Sequence, residues 1–176
     1  GLHATDKRIP VLKVLGAVLG SGMSSRLFQK MRDEMGVCYY VRAGSDEYTD
    51  HGVFAVSAGV DTKRVVESTH AILEELHKLR VDLVPAAELK KVKDHLIGGM
   101  YLGLESSDAI AEFGSFQEIL RRSITTPQEY AKKISAVTAA QVRSLARELF
   151  VDKHLNMALI GNVENEQELR DALTLS

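Results

Sequence analysis

A single cysteine, Cys38, and three prolines stand among 176 residues. One cysteine excludes an intrachain disulfide and any cysteine-rich zinc module. Neither sign of charge is in excess: 22 basic and 24 acidic side chains leave a formal charge of -2. That balance excludes the electrostatic footprint of a nucleic-acid-binding protein. No apolar run reaches membrane-spanning length, because Lys13, Gly16 and Gly20 interrupt the one near the start. The same stretch has no basic leader and no small-residue cleavage site, so it is not read as a signal peptide. At 45% hydrophobic and 26% charged, the chain is neither disordered nor collagen-like. Its length suits one domain and is enough to bury roughly two thirds of the unfolded surface without a metal or disulfide staple. The first residue is glycine rather than methionine. Residues 1–176 are therefore expected to form one domain that is a piece of a longer chain.

Hydrophobic spacing supplies the elements. Ile9, Leu12, Leu15, Val18 and Leu19 recur at helical intervals over residues 6–20, and Pro10 is tolerable because it falls in the first turn. Gly20-Ser21-Gly22 ends that helix. A second follows with Ser24 or Ser25 as N-cap and Leu27, Phe28, Met31 and Met35 on one stripe, closed by Gly36. Val37 to Val41 and Val53 to Val60 read as strands of an antiparallel hairpin. A polar loop is expected from Gly44-Ser45-Asp46 to His51-Gly52. Further helices are expected after Asp61, after Pro85 and near Ser106-Ser107. Two more start at Thr126-Pro127-Gln128-Glu129 and Thr138-Ala139-Ala140-Gln141, each a capping box. Leu155 to Gly161 reads as a last apolar strand, and Glu166 to Leu173 as a short final helix. Strands that do not alternate singly with helices indicate α+β: an antiparallel or mixed sheet with helices packed on one face. Three strands make a thin sheet, and a missing strand before residue 6, cut off with whatever preceded Gly1, is expected to complete it.

Few residues offer chemistry. The histidines at 3, 51, 70, 77, 95 and 154 form no paired-histidine zinc helix. A surface site of His70, Glu74 and His77 can be drawn, but a solvated helix face explains those residues better. Cys38 sits in an apolar strand, where a buried inert thiol is expected. Gly20-Ser21-Gly22 lacks the Gly-Lys-Ser/Thr continuation of a phosphate loop. Arg32 and Tyr39 remain: Gly36 can turn the chain between them, so two hydrogen-bond donors seven residues apart can project toward one point. Such a pair could hold a peptide carbonyl and its developing oxyanion. By themselves the residues favour a plainer explanation, an arginine snorkelling at a helix end and a tyrosine half buried in a sheet.

The run Leu19-Gly20-Ser21-Gly22-Met23-Ser24-Ser25-Arg26-Leu27-Phe28, followed by Met31-Arg32-Asp33-Glu34-Met35-Gly36-Val37-Cys38-Tyr39, changes that balance. It resembles the second domain in each half of the pitrilysin/insulinase zinc peptidases, which include the mitochondrial processing peptidase. Gly52-Val53-Phe54, Ala58-Gly59-Val60-Asp61, Leu102-Gly103-Leu104-Glu105-Ser106 and Thr138 to Phe150 follow the pattern in order, so the likeness runs from about residue 6 to Gly161. The resemblance implies an α+β domain that is inactive by itself. It places zinc and the general base on a His-x-x-Glu-His helix of a companion domain, in cis or in a paired subunit. Arg32 and Tyr39 match the two positions that bind the substrate backbone and oxyanion. This chain is thus expected to hold no metal or cofactor, to act on peptides and to assemble as a dimer, without nucleic acid or membrane as partner. A soluble protein of a bacterial cytoplasm or periplasm is expected ahead of a mitochondrial one. The alternative is a non-catalytic structural subunit, since the same family also supplies scaffolds to respiratory complexes.

Overall fold

The computed structural model describes residues 1–162 and 166–175. Its centre is α1 (Ile9–Gly20), with ten of twelve residues buried, so it is a core helix rather than an amphipathic surface one. Leu12, Leu15, Val18 and Leu19 are almost wholly out of water, each contributing roughly 1.5–3 kcal/mol relative to exposure. Around α1 lie the hairpin strands β1 (Cys38–Glu47) and β2 (Gly52–Val60) and the helices α2 (Val65–Val81) and α3 (Ala86–Gly103). The chain continues through α4 (Ser107–Arg121), α5 (Pro127–Ser135), α6 (Ala139–Leu149) and α7 (Glu166–Ala172). α1 packs directly on β1, α3, α5 and α6, and α2 packs on α6 and α7. The expected α+β architecture is present, with helices on the inner face of an antiparallel sheet.

α1 approaches the sheet closely because Gly20 has no side chain. A Cβ there would stand 2.2 Å from the backbone nitrogen of Ala43. That close approach, together with Lys13, extends β1 further than its polar residues suggested. Lys13 Nζ pairs with Glu47 at 2.7 Å and donates to the Ser45 carbonyl at 3.2 Å. Gly44, Ser45 and Asp46, expected in a loop, are therefore strand residues paired with Ala55, Phe54 and Val53. The turn shrinks to residues 48–51, where the Tyr48 N–H donates to the His51 carbonyl at 2.9 Å.

Both capping boxes form. The Thr126 hydroxyl receives the Glu129 N–H at 3.2 Å while the Glu129 carboxylate receives the Thr126 N–H at 2.8 Å. Thr138 and Gln141 repeat the exchange at the start of α6. Elsewhere the expected caps differ. α1, expected from residue 6, starts after Arg8, and Asp6 binds the Arg8 backbone and guanidinium. Ser25 does not accept from an N-terminal amide; its hydroxyl donates to the Gly22 carbonyl at 2.7 Å.

The expected third strand is not part of a sheet: the sheet is the β1–β2 hairpin alone among the described residues. Residues 155–161 have no ladder, although Leu155 is extended and packs on the core. No described strand lies alongside to take their backbone groups. Met157, Leu159 and Ile160 stand exposed as a consequence.

Candidate functional site at the hairpin bulge

Arg32 and Tyr39 are brought together by three local irregularities. The segment after Ser25 winds as a π-helix over Phe28–Glu34, a wide turn often associated with functional sites. Leu27 and Met31 anchor it in the core, and a bidentate Arg26–Glu88 ion pair at 2.8 and 2.9 Å ties its start to α3. Gly36, with φ +62°, reverses the chain, and the Val37 N–H closes back on the Met31 carbonyl at 2.8 Å. A left-handed residue at this point favours glycine because a Cβ would crowd the following carbonyl of its own backbone. Arg64 then donates to the Met35 carbonyl at 2.9 Å and holds the turn from the α2 side.

The third irregularity is a β-bulge. Cys38 pairs with Val60 and Tyr40 with Gly59, so Tyr39 is the extra residue on β1. A bulge turns a side chain out of its strand's alternation and frees its backbone groups from the ladder. Both consequences are visible: Tyr39 is 88% exposed, and its carbonyl accepts a hydrogen bond from Arg32 Nη1. The guanidinium carbon also lies 5.4 Å from the centre of the Phe28 ring, a cation–π distance. Beside it, the Tyr40 ring rests over Gly59, where a Cβ would come within 2.6 Å of Cε1.

The structure thus joins Arg32 to the backbone of Tyr39, while the phenol itself faces solvent. One guanidinium nitrogen is engaged, and the Arg32 and Tyr39 side chains are both exposed. Cys38 lies on the inner side of the same bulge. Burial pushes its thiol above the usual range, only partly opposed by the Arg32 charge, so it does not offer a thiolate at neutral pH.

A catalytic zinc needs about three protein ligands. Among the described residues no group of three histidine, cysteine, aspartate or glutamate side chains is placed to hold one. Glu74, the middle member of the helix-face trio, is taken by Lys78 at 2.8 Å. His51 is paired with Asp50 at 2.7 Å and stacked on Tyr48 at the hairpin tip. The described residues do not fit the metal.

Sequence spacing singled out Arg32 and Tyr39 but not Phe28, whose ring lies under the guanidinium. It also missed the bulge, although a signal existed. Cys38 and Val41 both turn inward yet stand three apart, and a strand of period two needs one extra residue to allow that.

The family model described as "Peptidase M16 inactive domain" matches residues 2–96. The uncharacterized zinc protease YmxG of Bacillus subtilis is 33% identical over 161 residues, covering 92% of this chain and 39% of its own length. An uncharacterized zinc protease of Streptomyces coelicolor is 29% identical over 97% of this chain and 37% of its own length. The chain therefore spans under two fifths of these curated relatives. Among solved structures, a conserved Enterococcus faecalis protein superposes with TM-score 0.72 at 25% identity, over 83% of this chain and 34% of that one. A peptidase M16 inactive domain from Pseudomonas fluorescens gives TM-score 0.74 at 18% identity, over 89% of this chain and 36% of that one.

Proposed function

From a chain that belongs to the family of M16 peptidase inactive domains, we propose a site-completing role: it holds the substrate backbone for a zinc-dependent peptidase. Zinc and the general base reside, on this proposal, in a companion domain of the same chain or of a paired subunit. The domain described is then one part of a longer two-domain half. The observation that supports it is the bulge, which leaves Tyr39 exposed and fixes Arg32 against the Tyr39 carbonyl.

Hydrolysis of a peptide bond develops negative charge on the carbonyl oxygen. Donors already aimed at that oxygen stabilise the transition state without reorganising. Arg32 is held on one side by the Tyr39 carbonyl and on another by the Phe28 ring, so little side-chain freedom is left to lose. Its remaining nitrogens and the Tyr39 hydroxyl would bind the carbonyl and orient the chain. Peptides, rather than folded proteins, are the substrate class that the family resemblance implies.

The test uses the assembled enzyme. Arg32→Ala and Tyr39→Phe are each expected to lower kcat by ~10²–10³, about 3–4 kcal/mol. The double variant should lose less than the product of the singles, because both act on one oxygen. Arg32→Lys keeps the charge but not the fork and should fall with Arg32→Ala. Near-normal turnover in both single variants, with lower melting temperatures, would assign the pair a structural role and the domain a scaffold one.

A further inference from the structure

The hairpin has two faces, and the domain uses one of them. Val41, Ala43, Phe54, Val56 and Ala58 pack toward the core. The register sets the other face: Tyr40 stands across from Gly59, Arg42 from Ser57, Gly44 from Ala55 and Asp46 from Val53. Apart from the two glycines, every one of these residues is exposed. An antiparallel sheet with one face in water ordinarily carries polar side chains on that face. Here β2 contributes only Val53, Ala55, Ser57 and Gly59, without a charge among them. The Tyr40 ring lies against Gly59, so the floor stays low at the end next to Tyr39.

One cation stands on this floor. Arg42 is exposed and has no hydrogen bond or ion pair among the described residues. The arginines around the neighbouring turn differ: Arg26 and Arg64 hold carboxylates, and Arg32 holds the Tyr39 carbonyl. Arg42 follows Tyr39 by three residues, roughly 10 Å along a strand. Asp46, the other charge on the face, lies four residues further on, about 13 Å away along the strand, too far to answer it.

We infer that Arg42 is a specificity-determining residue, which selects a substrate peptide with an aspartate or glutamate three residues from the scissile bond. The inference rests on the function proposed above, since it takes the bound peptide as the occupant of this face. Continuity supports that occupant: Tyr39 and Tyr40 are successive residues of β1, so the face begins where the carbonyl would be held. A peptide lying extended along β1 rises about as fast per residue as the strand beneath it. Its third residue from the held carbonyl therefore comes level with Arg42. Charge supplies the selection. An unpaired guanidinium fork matches a carboxylate through two parallel hydrogen bonds, and it repels a lysine at the same place.

The experiment uses the assembled enzyme and quenched peptides that differ at one residue, Glu, Gln or Lys, placed third before or third after the scissile bond. At one of those two places kcat/KM for Glu should exceed that for Gln ~3-fold and that for Lys ~10-fold, as for an exposed ion pair. The preference should shrink as salt is raised. Arg42→Ala should make the three peptides equal, and Arg42→Glu should turn the preference toward Lys, which a merely structural role would not do. Asp46→Asn should keep the preference for Glu. No preference at either place, or a preference for Glu that persists in Arg42→Glu, would overturn the inference. The oxyanion role is judged separately, by turnover of Arg32→Ala and Tyr39→Phe. If those variants turn over normally, binding of a non-cleavable Glu peptide decides for Arg42: affinity lost in Arg42→Glu keeps the assignment, and unchanged affinity removes it.

Discussion

Glycine has opposite consequences at two places in this domain, and the difference is a matter of ångströms. At Gly20 an added methyl would run into the backbone of Ala43, which cannot give way without moving β1. Gly20→Ala is therefore expected to destabilise by about 1–3 kcal/mol, as overpacking does, and to shift the hairpin that carries Tyr39. Gly99→Ala meets open space and should stabilise the isolated chain by up to about 1 kcal/mol. Paired thermal melts of the two variants check both signs. Phe28 belongs at the same scale. Phe28→Leu keeps bulk against the core but removes the ring face under Arg32, so it should lower kcat more than it alters melting.

Among the elements, α5 and α6 start for reasons contained in four residues each. Removing either cap, Thr126→Ala or Thr138→Ala, should cost ~1 kcal/mol in chemical denaturation. α4 ends less comfortably: Arg122 takes a left-handed conformation with φ 51°. Arg122→Gly removes that strain and should raise stability by roughly 1 kcal/mol. At the entry to α1, the Arg8 guanidinium hydrogen-bonded to Asp6 holds its carboxyl below the usual carboxylate range. A depressed folded value means that this stabilisation is present above the unfolded value, near about pH 4, and is lost as pH falls through the folded one. Asp6→Asn should therefore lower melting at neutral pH and reduce the further loss on acidification. Melting curves taken across the acid range would show it.

For the whole molecule, the isolated chain is expected to retain no stoichiometric zinc after dialysis against dilute metal and to cleave no quenched peptide. One tightly held zinc per chain, or turnover that persists through purification, would contradict that division of labour. The unpaired apolar residues 155–161 give a second expectation. An extended segment without a ladder partner invites pairing with another copy. Light scattering should show association that Leu159→Lys reduces; a monomer at high concentration would count against it.

What the sequence determined by itself was short-range. Helical periods, two capping boxes, the Gly36 reversal and the seven-residue spacing of Arg32 and Tyr39 depend on contacts within a turn or two. The α+β class followed from the order of those elements, and the motif around Ser24 to Tyr39 carried the family. Tertiary structure decided whatever depends on a neighbour distant along the chain. β1 runs on to Glu47 because Lys13 and the approach of α1 at Gly20 hold it there. Residues 155–161 have strand composition but no ladder, since a ladder needs a second strand and composition cannot supply one. Tyr39 is exposed because a bulge takes it out of register with β2, and Arg32 is fixed because Phe28 and the freed carbonyl meet it in space. Pairing and close approach are properties of two segments at once, and one segment's pattern does not contain them.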